Sequence, residues 1–239
     1  MNGVVEDIQQ KLTEGLIFSV NKPYRWTSSD VVRKVRSVLR YRYNLKKIKV
    51  GHAGTLDPLA TGVLVVCVGR ATKQAEEIQA GEKEYIAQIR FGATTPCFDL
   101  EKPIDAYFEY KHITRAALEI AIKKFIGTIE QVPPLFSAKM INGTRAYEFA
   151  RKGEDVEIKS ATINIKSIEI IKFDLPDVVL KIVCSKGTYI RSIARDLGLE
   201  MQSGAHLTNL CRTRSGNFSF CNSINISYLE NFFKNFETK

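Results

Sequence analysis

The sequence is poor in the residues that build disulfide frameworks and metal sites. Its 239 residues include three histidines and five cysteines, and no two cysteines have the C-x-x-C spacing of a zinc or redox motif. It also lacks an apolar run of the ~20 residues that a membrane helix needs, and its first residues lack the basic and then apolar pattern of a secretion signal. We therefore expect a cytoplasmic protein with reduced, buried thiols and no bound metal.

Acidic side chains are missing from one long segment. The chain carries 35 Lys and Arg against 26 Asp and Glu, a formal net charge of +9, which favours polyanionic partners. Residues 31–50 contain eight basic residues and no acidic one. A run of this kind alone is a solvated surface about as often as a nucleic-acid site. Because it directly precedes the motif described next, we favour a footprint for a phosphate backbone.

Residues 51–62 combine three glycines, His52 and an Asp-Pro pair. Pro58 disfavours the helical conformation for Asp57 and holds it extended, so its carboxylate projects from a constrained loop. The apolar run that follows, residues 63–69, predicts a buried strand that anchors this loop. For an arbitrary Asp-Pro pair a simple turn is the more frequent case, by about ten to one. A phosphate-binding loop is disfavoured because no Gly-Lys-Ser/Thr follows. We predict that residues 51–62 are the active-site loop.

Apolar periodicity predicts alternating strands and helices. We expect strands over residues 15–20, 63–69, 84–91, 161–173 and 178–184. We expect helices over 72–80 and 114–126, and three further helices whose N-caps are Ser28 or Ser29, Thr188, and Ser227. Tyr85 falls on the apolar face of its strand, where a packing tyrosine is the more frequent case by about four to one. Arg191 falls in the first turn of a helix, where the helix dipole disfavours a cation by up to about 1 kcal/mol. We therefore expect an acidic group close to Arg191.

Residues 51–62 resemble the G-H-x-G-x-L-D-P-x-A-x-G signature of the bacterial tRNA pseudouridine synthase B family. Further blocks that look like the family's, in the family's order, are residues 21–23, 83–85, 131–138 and 184–191. The likeness covers the chain from about Gly15 to Arg214. It departs from the family pattern at Arg25, where a glycine is usual, and at Pro96 and Cys97, which replace the inner Asp and Thr of a G-x-x-T-D-T-x-D block.

The resemblance implies a fold of the α+β class, the pseudouridine synthase fold, with a central, mixed and mostly antiparallel sheet flanked by helices. It implies a single catalytic domain over residues 1–239 that carries a mobile RNA-binding insertion at about 128–153. Bacterial relatives commonly continue into a small PUA-like RNA-binding domain, and we expect that domain to be absent here.

The resemblance also implies an activity, the isomerisation of a uridine in the T loop of tRNA, position 55 in the usual tRNA convention, to pseudouridine. No metal, nucleotide or redox cofactor is implied. The implied partner is the T stem-loop of tRNA, with no membrane and no required protein partner. Two alternatives remain, which are a related synthase guided by small RNAs and a tRNA-binding folding chaperone for which catalysis is secondary.

The resemblance assigns three catalytic residues. Asp57 is the implied catalytic aspartate, Tyr85 lies against the target base, and Arg191 pairs with Asp57. Whether Asp57 attacks the base or the sugar, or removes a sugar proton, is left open by the residues.

Four further residues are implied to bind the substrate or support the loop. His52 is expected to occupy the space of a base that has been flipped out, which itself costs a few kcal/mol. A lone histidine is more often structural, but this one lies within the matched motif. Tyr189 and Leu210 match positions that line the uracil pocket, and Lys22 is expected to support the catalytic loop.

Overall fold

The structure, a computed structural model, describes residues 2–137, 139–141, 143–146, 148–149 and 156–236. Its elements divide into two units. The first unit comprises Met1–Glu84 and Cys211–Lys239, and the second comprises Tyr85–Leu210. Within the described ranges, no helix has the length and apolar character that crossing a membrane requires.

The first unit is built on a sheet with helices packed against it. Its elements are α1 (Asn2–Glu14), β1 (Leu16–Lys22), α2 (Ser28–Tyr43), β2 (Val50–His52), β3 (Ala60–Val68), a 3₁₀ turn (Gly69–Gln74), α3 (Ala75–Ala80), the first residues of β4 (Lys83–Phe91), the last residues of β12 (Ala205–Ser215), β13 (Phe218–Ser219), β14 (Ile224–Asn225) and α6 (Leu229–Phe236). Strand β3 pairs antiparallel with β1 and with β2. Strand β14 pairs with β1 in parallel, so the sheet is mixed.

Strand β3 forms the centre of this unit. All of its residues are buried except Thr61, which is half-buried, as expected for a continuous apolar run covered on both faces. Val63, Val65 and Cys67 pack with Ala53 and Ala71 in one buried cluster. The loop that precedes β3 is therefore attached to the most buried element of the unit.

Helix α2 begins with a capping box. Thr27, and not Ser28 or Ser29, is the N-cap: its hydroxyl accepts from the backbone N–H of Asp30 at 3.1 Å, and the Asp30 carboxylate accepts from the backbone N–H of Thr27 at 2.8 Å. The prediction of the cap was wrong by one or two residues because Asp30 supplies the reciprocal partner. The apolar face was predicted correctly, since Val31, Val35, Val38 and Leu39 are buried.

The second unit contains antiparallel strand pairs and two helices with described bounds. Its elements are β4 from Tyr85, β5 (Ala93–Thr94), β6 (Ala106–Tyr107), α4 (Arg115–Lys123), β7 (Gly127–Gln131), β8 (Met140–Ile141), β9 (Thr144–Arg145), β10 (Ala161–Asp174), β11 (Asp177–Cys184), α5 (Ile190–Glu200) and β12 up to Leu210. Strand β10 pairs antiparallel with β11 and with β7. Helix α4 packs against β10 and α5.

The predicted strands are confirmed in type, whereas several helix ends were wrong. Helix α4 starts after Thr114 as expected but ends at Lys123, because Gly127 adopts φ +101° and already begins β7. Thr188 does not cap α5; its hydroxyl donates to the carbonyl of Ser185 at 3.0 Å. Ser227 is likewise not a cap, since its own N–H donates to the Asn225 side chain at 3.2 Å.

In each unit, mostly antiparallel strands pack with helices, which confirms the α+β class and the mixed, mostly antiparallel sheet. The expected insertion at 128–153 lies partly outside the described residues, because positions 138, 142, 147 and 150–153 are not described.

Candidate active site

The Asp57 loop connects β2 to β3 in the first unit. His52 ends β2, and the loop is closed by a bond from the N–H of Ala60 to the carbonyl of Asp57 at 3.1 Å. Asp57 is half-buried, whereas the preceding Leu56 is buried. The carboxylate of Asp57 is therefore partly accessible, while the backbone that carries it is held by buried neighbours.

Arg212 on β12 fixes the part of the loop before Asp57. Its side chain is 1% exposed. The guanidinium donates to three carbonyls, those of Val63 at 2.7 Å, Gly54 at 3.1 Å and Thr55 at 3.3 Å. The planar, five-donor guanidinium suits this arrangement because one rigid group satisfies acceptors in different directions.

Ser28, the first residue of α2, fixes the next residue. The N–H of Leu56 donates to its hydroxyl at 2.9 Å, and the hydroxyl donates to the Leu56 carbonyl at 3.2 Å. Because Thr27 supplies the helix cap, the hydroxyl of Ser28 remains available for the loop. The residue directly before Asp57 is therefore bound at both of its backbone polar groups.

Lys22 fixes the residue after Asp57. It is 0% exposed, and its ammonium donates to the carbonyls of Trp26 at 2.5 Å, Pro23 at 3.1 Å and Pro58 at 3.2 Å. Burial lowers the pKa of Lys22 from 10.5 to about 8; the negative charge of Asp57 opposes this shift, and the positive charge of Arg212 adds to it. The expectation that Lys22 supports the catalytic loop thus has a geometric basis.

Gly62 and Arg25, on either side of Asp57, have backbone φ angles in the left-handed region. Gly62 has φ +99°, and a Cβ added there would lie 2.2 Å from the carbonyl oxygen of Arg212, so only glycine fits. Arg25 has φ +65° and its N–H donates to the carbonyl of Pro58 at 2.9 Å. The chain therefore holds Arg25 in a conformation that glycine adopts more readily.

His52 is half-buried at the end of β2, opposite Val66. Its Nδ1 has no hydrogen-bond partner among the described residues. Burial lowers its pKa below the usual 6.5, and the charge of Arg212 lowers it further. The imidazole is therefore neutral at neutral pH, and a neutral planar ring is less costly to bury than an imidazolium.

Arg191 in the second unit is buried, at 5% exposure of its side chain. Its guanidinium donates to the carbonyl of Cys97 at 3.2 Å and to that of Phe136 at 3.0 Å, and its Nε lies 3.7 Å from the carboxylate of Asp99. Arg191 is therefore not a solvated arginine, and the expected acidic neighbour is present in Asp99. Pairing of Arg191 with Asp57 stays a prediction.

Tyr189 precedes α5 and is bound through its backbone. The side-chain amide of the buried Gln131 donates to the carbonyl of Tyr189 at 3.1 Å and accepts from its N–H at 2.8 Å. The hydroxyl of Ser192 then donates to the carbonyl of Val132 at 2.9 Å. Residues 131–136 are thus bound to the start of α5 by side chains at three successive points.

Tyr85 and Leu210 belong to strands of the second unit. Tyr85 is 8% exposed and lies on the same face of β4 as the buried Ala87 and Ile89, as the alternation in the sequence predicted. Leu210 is half-buried on β12. The seven predicted site residues thus divide into Lys22, His52 and Asp57 in the first unit and Tyr85, Tyr189, Arg191 and Leu210 in the second.

Sequence reasoning missed the residues that hold the site in place. Arg212, Ser28, Gln131 and Asp99 carry no signal of their function in local periodicity. Arg212 lies in a strand that the sequence patterns did not predict. Only its burial and its three carbonyl partners reveal its function.

Solved structures share this fold. The structure of a Cbf5–Nop10–Gar1 complex matches with a TM-score of 0.72 and 28% identity, over 95% of this chain and 56% of that one. That of an archaeal box H/ACA sRNP Nop10–Cbf5 complex matches with a TM-score of 0.67 and 27% identity, again over 95% and 56%. With the Asp57 loop, these likenesses define the class of fold as that of the pseudouridine synthases.

The comparison of sequences is more specific. The family model described as TruB family pseudouridylate synthase (N terminal domain) matches residues 40–190. The tRNA pseudouridine synthase B of Phocaeicola vulgatus is 57% identical over 85% of this chain and 86% of its own length. The tRNA pseudouridine synthase B of Flavobacterium johnsoniae is 46% identical over 92% of this chain and 97% of its own length. The chain therefore belongs to the TruB family of pseudouridylate synthases, which are isomerases.

Proposed function

We propose that this protein isomerises uridine 55 in the T loop of tRNA to pseudouridine. The single observation that supports this most strongly is the fixed loop around Asp57, whose backbone is bound by side chains at Gly54, Thr55, Leu56 and Pro58. A loop so constrained presents one carboxylate in one orientation, which is what covalent or general-base catalysis by an aspartate requires. The relatives named tRNA pseudouridine synthase B point to tRNA as the substrate.

The proposed reaction is a rearrangement within one nucleotide. The bond between the ribose and N1 of uracil breaks, the base turns, and a bond forms from the ribose to C5. The proton on C5 leaves and N1 gains one, so atoms and charge balance without a cofactor. Asp57 acts in its ionised form, and Arg191 is proposed to pair with it and orient it.

Access to the uridine requires that it leave the folded loop of the RNA. We assign His52 to the space that the base vacates, and its neutral, half-buried ring supports that assignment because it stacks without bringing an unpaired charge. Tyr85 is proposed to stack on the uracil, with Tyr189 and Leu210 lining the pocket. Lys22 is proposed to support the site by holding the loop, because its ammonium donates to three backbone carbonyls.

We further propose that the protein needs no other protein or RNA for activity. We place it in the cytoplasm, where tRNA matures. It is tested with the purified protein and an unmodified tRNA transcript, with no other protein or RNA present, and with pseudouridine mapped at single-nucleotide resolution. We expect modification at position 55 and at no other uridine.

A T stem-loop hairpin in EDTA is the companion experiment, because it removes any need for a metal in folding the RNA. Equal rates with and without EDTA are expected. Product that appears only when a small guide RNA is added would favour the guided synthase. Tight tRNA binding without product would favour the chaperone.

A further inference from the structure

Helix α5 of the second unit has an unusual N-cap residue, Tyr189. This residue is extended, with φ −97° and ψ 108°, and the helix begins directly after it. Helices are usually capped by the short side chains of Ser, Thr, Asp or Asn, whose oxygen accepts from the first turn. The ring of a tyrosine is too long and too rigid for that contact. The conformation that keeps Tyr189 outside the helix therefore has another source.

Gln131 binds Tyr189 in place of a cap. The side-chain amide of Gln131 accepts from the N–H of Tyr189 at 2.8 Å and donates to the carbonyl of Tyr189 at 3.1 Å. That carbonyl also accepts the first bond of the helix, from the N–H of Ile193 at 3.2 Å. One side chain thus contacts both backbone polar groups of Tyr189, as the backbone of a neighbouring strand would. These two contacts are hereafter called the Gln131 bonds.

Gln131 is itself a fixed support. It is 3% exposed and ends β7, where it pairs with Ala161 of β10. Burial restricts the torsions of its side chain on folding, so the entropy of orienting the amide has already been lost before any substrate binds. The Gln131 bonds therefore connect Tyr189 to the sheet of the second unit.

The chain before Tyr189 gives it little support of its own. Lys186 and Gly187 are exposed, and Gly187 has φ +81°. A glycine at such a position gives the backbone access to many conformations. The direction in which the chain enters α5 at Tyr189 therefore depends on the Gln131 bonds.

Helix α5 is held by contacts that do not involve Tyr189. Ser192 and Arg195 both donate to the carbonyl of Val132, at 2.9 and 3.1 Å. Removal of the Gln131 bonds leaves these contacts in place, so the helix stays where it is. Tyr189 can then join the helix, which changes its ψ from 108° to about −42° and turns its ring about the Cα–C bond as seen from α5.

We propose that Gln131 is a positioning residue for Tyr189, and that it fixes the direction of the tyrosine ring rather than the place of α5. That this ring lines the pocket of the target base rests on the proposed function. Gln131 then acts on the reaction only through Tyr189. It orients one wall of the pocket before the uridine enters, so the base is held in one geometry for the chemical steps.

A double-variant cycle tests whether Gln131 acts through Tyr189. Gln131→Met keeps the approximate size of the side chain and removes both Gln131 bonds. It should lower kcat by about tenfold or more, because a displacement of about 1 Å at a reacting site can cost roughly 100-fold. KM should change little, since most RNA affinity comes from phosphate contacts. In a Tyr189→Ala background the same substitution should change kcat by less than about twofold, because no ring remains to be positioned.

The matched control removes one contact at the other end of α5. The Nε2 of His112 donates to the carbonyl of Met201, the C-cap residue of α5, at 2.9 Å. His112→Phe should therefore leave kcat close to that of the wild type. An equal loss in His112→Phe and Gln131→Met, or a loss in Gln131→Met that persists in the Tyr189→Ala background, would overturn the proposal and leave Gln131 a purely structural residue. Gln131→Glu, which removes only the donor, replaces Gln131→Met in the cycle if that variant does not fold.

Hydrogen exchange at the N–H of Tyr189, followed by NMR without RNA, is the second measurement. Protection of this amide should fall by at least about tenfold in Gln131→Met, which lacks the acceptor, and should be unchanged in His112→Phe. Equal protection in the wild type and Gln131→Met would overturn the proposal, because Gln131 would then not hold Tyr189. If the wild type forms no pseudouridine, the proposed function is refuted, whereas the exchange measurement still decides whether Gln131 fixes Tyr189.

Discussion

Replacement of Lys22 by methionine isolates the contribution of one buried ammonium to the Asp57 loop. Methionine keeps the length and much of the volume of the side chain while removing the charge and all three donors. The carbonyls of Pro23, Trp26 and Pro58 then lose a partner. Pro58 is the residue next to Asp57, so the change acts on the loop and not on the substrate.

The expected change in stability is the difference between two opposing contributions. A buried carbonyl without a partner costs about 1–3 kcal/mol, and three lose their donor. Removal of the buried charge stabilises the folded state by about 3 kcal/mol. This value is the free energy that corresponds to a fall in pKa from 10.5 to about 8. The three carbonyls together cost about 3–9 kcal/mol, so we expect a net loss in the free energy of unfolding between about 0 and 6 kcal/mol.

The expected change in activity falls mainly on kcat. Displacement of a catalytic group by about 1 Å can cost roughly 100-fold in rate, so kcat should fall by about 10- to 100-fold with KM changed little. Single-turnover pseudouridine formation measures this, alongside urea unfolding of the same preparations. A kcat within twofold of wild type, in a protein as stable as wild type, would show that Lys22 does not position the loop.

The pH dependence gives an independent check on Lys22. Below pH about 8 the ammonium has three protons for its three acceptors, and above it the amine has two, so kcat should decline as pH rises through about 8. Stability should move in the opposite direction: between pH 8 and 10.5 the unfolded chain binds more protons at Lys22 than the folded chain does, so the free energy of unfolding rises with pH. Lys22→Met should lose both the fall in kcat and the rise in the free energy of unfolding with pH. If either persists in this variant, it belongs to another titrating group.

Further substitutions test the other contacts. Arg212→Lys should lower the free energy of unfolding by about 2–4 kcal/mol and kcat by at least about tenfold, because Arg212 reaches its three carbonyls with three separate nitrogens and lysine has only one. Arg214→Lys, on the half-exposed pair with Glu82, should cost below about 1 kcal/mol and serves as the control. Arg191→Met should lower kcat far more than it weakens RNA binding, with partial recovery in Arg191→Lys; equal losses in binding and kcat would contradict a role in chemistry. Arg25→Gly should leave the free energy of unfolding within about 1 kcal/mol of wild type or raise it. The reason is that a φ of +65° costs an L-residue about as much as glycine loses in chain entropy. A loss of several kcal/mol in thermal unfolding would show that the Arg25 side chain itself holds the loop.

The strands and the constrained loop around Asp57 were predictable because their signals are local. Strand β3 is buried on both faces, so its sequence is a continuous apolar run. The strand that contains Tyr85 is buried on one face, so its apolar residues alternate with others. The Asp57 loop was found through its motif. Helix caps were less predictable, since neighbouring serines and threonines all qualify and only the reciprocal bond of Thr27 with Asp30 decides among them.

The supporting residues were not predictable because their partners are distant in sequence. Arg212 contacts Gly54 across 158 positions, and Gln131 contacts Tyr189 across 58. Composition shows that an arginine is charged but not that it is buried against carbonyls. For Arg191, the helix dipole argument correctly indicated an acidic neighbour, yet it could not identify Asp99 as one.

The most direct test of the account is Asp57→Asn, measured for product and for tRNA binding in the same preparation. Asparagine keeps the shape of the side chain and removes the charge and the nucleophilic oxygen. The fixed loop predicts that no pseudouridine forms at position 55 while the affinity for tRNA stays within a few-fold of wild type. Product formed at a rate near that of the wild type would contradict the assignment of Asp57 as the catalytic residue.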